Sequence, residues 1–297
     1  MSTPVAVLGL GAMGLPIAAR LAETREVRGF DVAPQRRDLA VAEGVVPADS
    51  VRAAVTGASH VVVAVRDGAQ LEQVLFSDEG AAVALAPGAC VVVTSTVGAA
   101  AVTDVARRLA ESGIATVDAP VSGGALRARA GDLLITVGGS PEVLAGARDV
   151  LQAMATSLVE VGDVGDGQNM KTVNQLLCGI HTAAAAEALA LANAMGLDLE
   201  QCVAVLGQGA AASFMLQDRG PRMVQQLRGA EPELRSRTDV IAKDMGIVGE
   251  LTRRHRLPTG VAAAAENLYR MATTAGLEAA DDSAVAAFLA GRKPGGE

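Results

Sequence analysis

Four apolar residues, Val5-Ala6-Val7-Leu8, run straight into Gly9-Leu10-Gly11-Ala12-Met13-Gly14, and an Ala-rich stretch then leads to a second short run at residues 27–30 that closes on Asp31. Short β-branched runs read as strands, and the Ala-rich stretch at residues 12–23 reads as a helix. A strand that breaks at glycine, passes at once into a helix and then into another strand is a βαβ unit, whose two strands lie parallel with the helix on one face. The alternation continues down the chain. A helical stretch at 35–43 follows; residues 60–65 precede a helix at 70–75, residues 90–93 precede one at 99–111, and short runs stand at 116–118, 133–137 and 158–160. Because these runs are apolar throughout rather than at every second residue, they predict a parallel sheet covered on both faces.

After Gly162 the strand signal stops. Helical stretches follow at 168–195, 199–207, 215–227, 239–255, 259–274 and 283–289. Three glycines in Gly162-Asp163-Val164-Gly165-Asp166-Gly167 break any regular element, so the boundary is placed there, dividing the chain into residues 1–162 and 163–297. The stretch from residue 168 is apolar on several sides, and a helix of that kind must be covered on most of them. Packing against a second subunit is the expectation, as a homodimer or homotetramer.

The glycine loop predicts what the first domain holds. Gly9 permits a tight turn, Gly11 lets a ligand approach the backbone, and Gly14 lets helix and strand pack closely, while the helix N-terminus offers N–H groups and a partial positive charge to a pyrophosphate. Ala12 and Met13 complete that loop. Asp31 stands 20 residues after Gly11 at the end of the second strand, placed to accept hydrogen bonds from ribose hydroxyls and to repel a 2′-phosphate. A dinucleotide follows, NAD in preference to NADP, with flavin as the competing dinucleotide. Arg36 and Arg37 are read as exposed residues of the next helix rather than as a phosphate site. The fold class is α/β, a doubly wound Rossmann-type sheet followed by an all-α C-terminal domain.

Composition narrows the partners. A net charge of −8, from 25 basic and 33 acidic residues, and 2% aromatic content argue against nucleic acid. Half of the residues are apolar, but they come in short bursts without an uninterrupted run of about 18, which argues against a membrane span. The N-terminus has no signal-like pattern. Cys90, Cys178 and Cys202 lie far apart without metal-ligand spacing, and all three are read as buried thiols of a reducing cytoplasm. No metal site is expected.

Two further segments carry chemistry. Asp118-Ala119-Pro120-Val121-Ser122-Gly123-Gly124 follows a strand and joins a hydroxyl to two glycines whose N–H groups are unhindered, a combination that binds a carboxylate or serves as a plain connection. In Gly167-Gln168-Asn169-Met170-Lys171-Thr172-Val173-Asn174, Lys171 and Asn174 share a helix face at i and i+3. Lys171 sits among Met170, Val173, Leu176 and Leu177. Burial there lowers the pKa of an amine and prepares it to exchange a proton with a substrate hydroxyl.

With these motifs in order, the chain resembles the β-hydroxyacid dehydrogenase family, which includes 3-hydroxyisobutyrate dehydrogenase, tartronate semialdehyde reductase and the Rossmann part of 6-phosphogluconate dehydrogenase. The resemblance rests on Gly9-x-Gly11-x-Met13-Gly14, Ser95-Thr96, residues 118–124, Gly167-x-x-x-Lys171-x-x-Asn174, and Lys243-Asp244. It implies that Lys171 is the general acid/base, that Asn174 helps hold the substrate, and that Ser122, Gly123 and Gly124 bind its carboxylate. It further implies that Thr96 and Lys243 lie at the cofactor, and Val65, at the end of its strand, is counted with them. Many members carry a second Asn where this chain has Gln175, which is still assigned to the substrate. Residues 70–76, 175–190, 213–215 and 281–285 resemble one subgroup, the L-threonate dehydrogenases, and imply a four-carbon sugar acid as the small anionic substrate. Rival readings are another hydroxy acid, an imine reductase, and an NADH sensor without turnover. The presence of Lys171 argues against the imine reductase, and intact Ser122 and Lys171 argue against the sensor.

Overall fold

The computed structural model describes residues 3–292 and divides into two compact units, residues 1–171 and 172–297. In the first unit the elements run β1 (Val5–Leu8), α1 (Gly14–Ala22), β2 (Val27–Phe30), α2 (Pro34–Ala42), β3 (Val46–Pro47), α3 (Val51–Val55), β4 (His60–Val63), α4 (Gly68–Phe76), β5 (Cys90–Val93), α5 (Ala99–Ala110), β6 (Ala115–Asp118), β7 (Val121–Ser122), α6 (Gly124–Ala130), β8 (Leu133–Gly138), α7 (Pro141–Met154) and β9 (Ala155–Gly162). Helix α8 (Asp166–Ala194) starts in this unit and continues into the second.

The strands form one sheet in the order β3-β2-β1-β4-β5-β6-β8-β7, with β9 paired to β8. Strands β1 to β6 are parallel, Val5 standing beside Val27 on one side and His60 on the other. The sheet is parallel-dominated as expected, with a feature the strand pattern did not show: β8 runs antiparallel to β6 and β7. The strand pattern in a sequence carries no direction, and here β7 and β8 are joined by only a short helix, without the long crossover that parallel neighbours need.

Both faces of the central strands are buried, for the reason their sequence gives. Val5 and Val7 of β1 enter one core with Ile17, Ala18 and Leu21 of α1, whereas Ala6 and Leu8 enter the opposite core with Val61, Leu71 and Leu75. Side chains alternate across a strand, so a wholly apolar strand feeds two layers. Each Leu or Ile fully removed from water contributes about 1.5–3 kcal/mol. Helix starts are fixed locally: the Ser50 hydroxyl accepts from the Ala53 N–H, the Asp67 carboxylate from that of Gln70, and the Ser140 hydroxyl from that of Val143.

The second unit takes the rest of α8 together with α9 (Leu199–Leu206), α10 (Phe214–Leu227), α11 (Thr238–Arg254), α12 (Gly260–Ala272) and α13 (Ala284–Leu289). Its core gathers Ala186, Leu189, Met223, Leu227, Met245, Val248, Tyr269 and Val285. The wholly buried Tyr269 donates its hydroxyl hydrogen to the Gly179 carbonyl at 2.6 Å. A buried ionic clasp ties α10 to the segment before α13. Arg222 Nε donates to Asp281 at 3.0 Å and Arg219 Nη2 to Asp282 at 3.1 Å. Burial pushes the Asp282 carboxyl up against the pull of the Arg219 charge.

Two expectations about exposure change. Helix α8 contains an 18-residue stretch of mean hydropathy 1.3, long and apolar enough by composition to cross a bilayer, and 39% of that stretch is buried. Its alanines extend an apolar stretch that the short-burst pattern passed over, and the core helix of a globular protein meets the same criterion. Of the three thiols only Cys90 is buried, its pKa pushed up to about 12 by desolvation; Cys178 and Cys202 are partly exposed.

Candidate functional site

In the first unit the residues expected at the cofactor collect at the C-terminal ends of adjacent parallel strands. Gly9 follows β1, Asp31 follows β2, Val65 follows β4 and Thr96 follows β5. Strand order reverses between β1 and β4, the crevice where doubly wound sheets take ligands. Gly9 has φ +91°, open to glycine at little strain, and a Cβ on it would overlap the Ala64 carbonyl. A Cβ on Gly14 would overlap the Gly9 carbonyl and come within 3.1 Å of the Ala64 side chain. Nothing lies within 4 Å of a Cβ added to Gly11. Two glycines therefore let loop and helix close on each other, and the third leaves open space before the N-terminus of α1, which fits a pyrophosphate.

Asp31 does a second job that the spacing did not show. Its Oδ2 accepts from the Leu10 N–H at 2.8 Å and its Oδ1 from the Ala33 N–H at 2.9 Å, pinning the glycine loop to the end of β2. Arg36 is exposed; Arg37 is held back, its guanidinium donating to the Asp31 carbonyl at 3.1 Å and lying 5.8 Å from the Phe30 ring centroid. Beyond β4, the Val65 N–H donates to the Ser95 hydroxyl at 2.8 Å, and Ser95 donates on to the Val63 carbonyl at 3.3 Å. That links the loop of Val65 to the loop of the half-buried Thr96.

The same unit brings Ser122 and Lys171 together across 49 positions: Lys171 Nζ donates to Ser122 Oγ at 2.9 Å. Strand β7 sets the serine, with Ser122 in register with Leu134 of β8. The chain then leaves the sheet through Gly123 at φ +142° and Gly124 at φ +74°, a pair of conformations that side chains resist. Lys171 is only 8% exposed and Ser122 is half-buried, so a buried amine meets the hydroxyl where the site begins to open.

Behind this pair lies a buried polar group not recognised from the sequence. Asp118 and Gln168 are both wholly buried. Asp118 Oδ2 accepts from the N–H groups of Gly165 at 3.0 Å and Gln168 at 2.9 Å, and its Oδ1 accepts from Gln168 Nε2 at 3.0 Å. Burial pushes this carboxyl up, and the Gln168 side chain and the backbone donors oppose it.

The second unit groups the remaining predicted residues. Asn174 Nδ2 donates to Gln175 Oε1 at 2.8 Å and to Cys178 Sγ at 3.4 Å. Gln175 donates a short hydrogen bond from Nε2 to Asp244 Oδ2, and Lys243 Nζ pairs with Asp244 Oδ1 at 2.9 Å. The amide nitrogen of Gln175, expected on substrate, is thus engaged by Asp244, which also pairs with its chain neighbour Lys243. His60 lies elsewhere, bonded to Ser59 and to the Gly146 carbonyl.

Residues 4–162 match the family described as the NAD binding domain of 6-phosphogluconate dehydrogenase. Residues 165–289 match the family described as NAD-binding of NADP-dependent 3-hydroxyisobutyrate dehydrogenase. The chain is 38% identical to the L-threonate dehydrogenase of Cupriavidus necator, over 98% of this chain and 97% of that protein. Among solved structures it is similar to 3-hydroxyisobutyrate dehydrogenase from Salmonella typhimurium, with a TM-score of 0.88 and 34% identity over 97% of this chain and 100% of that one. It is also similar to Mycobacterium tuberculosis 3-hydroxyisobutyrate dehydrogenase with L-serine, at a TM-score of 0.84 and 28% identity over 97% and 99% of the two chains.

Proposed function

The chain belongs to the 3-hydroxyisobutyrate dehydrogenase family of NAD(P)-dependent hydroxyacid dehydrogenases, and on that premise we propose that it oxidises a four-carbon sugar acid such as L-threonate, with Lys171 as the general acid/base. The observation that carries the chemistry is the contact of the buried Lys171, through Nζ, with Ser122 Oγ at 2.9 Å. A bound nicotinamide dinucleotide supplies the two-electron acceptor for the hydride that leaves the carbinol carbon. Lys171, as the neutral amine, takes the hydroxyl proton while the carbon–oxygen bond becomes a carbonyl, and the ammonium so formed stabilises the oxygen. Ser122 holds the amine in place, and the N–H groups of Gly123 and Gly124 are suited to the substrate carboxylate. Asn174, three residues along α8, shares the helix face of Lys171. The reverse reduction uses the same groups.

Likeness to the L-threonate dehydrogenases over nearly the whole chain supports the substrate class, and the carboxylate of Asp31 favours NAD over NADP. Exposed Val173, Leu177 and Leu191 along α8, each at least 49% accessible, support a homodimer or homotetramer. A cytoplasmic location belongs to the same reading and rests on composition.

The test is a panel of three- to six-carbon hydroxy acids offered with NAD+ and with NADP+, followed by reduced-cofactor absorbance. Highest kcat/KM on L-threonate or a stereoisomer with NAD+ supports the reading. Preference for a branched monohydroxy acid such as 3-hydroxyisobutyrate overturns the substrate, and turnover of cyclic imines alone overturns the reaction class.

A further inference from the structure

The amide of Gln168 uses both lone pairs and both hydrogens inside the first unit. Its Oε1 accepts from the N–H groups of Val97 at 2.9 Å and Gly98 at 3.0 Å, and its Nε2 donates to the Ser95 carbonyl and to Asp118 Oδ1, both at 3.0 Å. The orientation of this amide is not interchangeable. Two backbone N–H groups can only donate and a carbonyl and a carboxylate can only accept, so a flipped amide would face like with like at every contact. No water is needed to satisfy it, and the side chain is wholly buried. Satisfied networks of this kind rigidify the groups they join.

What they join is the catalytic apparatus. Val97 and Gly98 follow directly on Thr96 in the loop after β5, and Ser95 of the same loop also holds the Val65 N–H. Asp118 closes β6 and opens the loop that carries Ser122, four residues on. Through Asp118 Oδ2 the first turn of α8 is fixed at Gly165 and Gln168, and Lys171 follows one turn later, about 4.5 Å along the helix axis. The approach is tight: a Cβ on Gly167 would come within 2.8 Å of Asp118 Oδ2 and 2.9 Å of the Thr136 carbonyl.

We propose that Gln168 is a positioning residue for the dehydrogenase reaction: with Asp118 it sets the register of α8 against the Thr96 loop and the Ser122 loop, and so places the amine of Lys171. The inference rests on the reading of Lys171 as acid/base. Gln168 does not itself touch the reacting atoms. Its effect is felt as misplacement of Lys171, and a displacement of about 1 Å costs on the order of 100-fold in rate.

The two carriers of this network exchange chemically in a way that tests it. Asp118→Asn alone places a second amide against Gln168, and either orientation of either amide leaves two donors face to face. Gln168→Glu alone places two carboxylates in contact within a buried site. Combined, the two changes restore every bond except the one to the Ser95 carbonyl, with the negative charge moved across the pair.

The experiment compares the wild type with Gln168→Met, Asp118→Asn, the Asp118→Asn/Gln168→Glu double variant and Lys171→Ala. It reads kcat, KM, NADH affinity, thermal midpoint, and the rate at which the Lys171 amine is acylated by acetic anhydride, located by mass spectrometry. Expected for Gln168→Met are NADH affinity within about threefold, kcat lower by about 10- to 100-fold, and faster acylation of Lys171. The double variant recovers kcat above Asp118→Asn. Should Gln168→Met not fold, the comparison of the double with the single variant decides. A double variant no better than the single, or a folded Gln168→Met with unchanged kcat and unchanged acylation, overturns the proposal. Full turnover in Lys171→Ala overturns instead the acid/base reading beneath it, and the acylation rate, which needs no substrate, separates the two.

Discussion

Lys171 Nζ and Ser122 Oγ lie 2.9 Å apart although 49 positions separate them in the chain. The serine comes from a two-residue strand and the lysine from the first turns of a 29-residue helix, so the contact depends on how the sheet ends and how that helix begins. The glycines and the acids of the first unit described above bear on that geometry or on the cofactor loop.

The glycines of the cofactor loop divide into two kinds, and substitution separates them. Gly14→Ala places a methyl group on the Gly9 carbonyl and is expected to destabilise the fold by about 2 kcal/mol or more. Gly11→Ala meets open space; it should leave stability within about 0.5 kcal/mol while weakening NADH binding at least about tenfold, because the new methyl occupies the pyrophosphate approach. Denaturant unfolding and NADH fluorescence titration distinguish the two. Loss of stability in Gly11→Ala without loss of binding contradicts this assignment.

Asp31 is expected to set cofactor preference and to brace the loop at once. Asp31→Ser removes the charge that repels a 2′-phosphate and shortens the acceptor held by Leu10 and Ala33. The ratio of kcat/KM for NAD+ to that for NADP+ should fall by about tenfold or more, with a lower thermal midpoint. An unchanged ratio contradicts the role.

Stability below neutrality should carry the signature of His60. Burial, more than the nearby Arg25, lowers its pKa below the ordinary 6.5, against the pull of the Gly146 carbonyl. The unfolded chain therefore binds a proton first as pH falls through 6.5, and the contribution of this residue is present above that value and lost below it. His60→Asn should reduce the pH dependence of unfolding as pH falls below the ordinary 6.5 of histidine. Parallel curves for variant and wild type would contradict it.

The clasp at α10 is expected to be strongly coupled. Arg222→Met leaves the buried Asp281 without its Nε partner, a bond of 3.0 Å, and breaking one side of a buried pair costs about 3–5 kcal/mol. Loss below about 1 kcal/mol in denaturant unfolding would show that Arg219 alone compensates both acids.

Much of this was legible from the residues. Unbroken β-branched runs located the main strands of the sheet, long Ala- and Leu-rich stretches located the helices of the second unit, and the spacing of Gly9, Gly11, Gly14 and Asp31 marked the loop. Strand β3, strand β7 and helix α3 span two, two and five residues, too few for any period to register. The direction of β8 depends on a connection rather than on its own side chains. Asp118 and Gln168 were visible only as an acid at a strand end and an amide at a helix start; their pairing spans 50 positions, and nothing local encodes it. The tie of Gln175 to Asp244, across 69 positions, was hidden in the same way.

Everything proposed for the reaction depends on Lys171 moving the proton. The most direct measurement is steady-state turnover of the preferred hydroxy acid by Lys171→Ala, set beside its NADH affinity by titration. Expected is a kcat lower by about 100- to 10,000-fold with NADH affinity nearly unchanged, since the dinucleotide loop from Gly9 to Gly14 is built from other elements. Equal loss of turnover and NADH binding, or turnover close to that of the wild type, would contradict it.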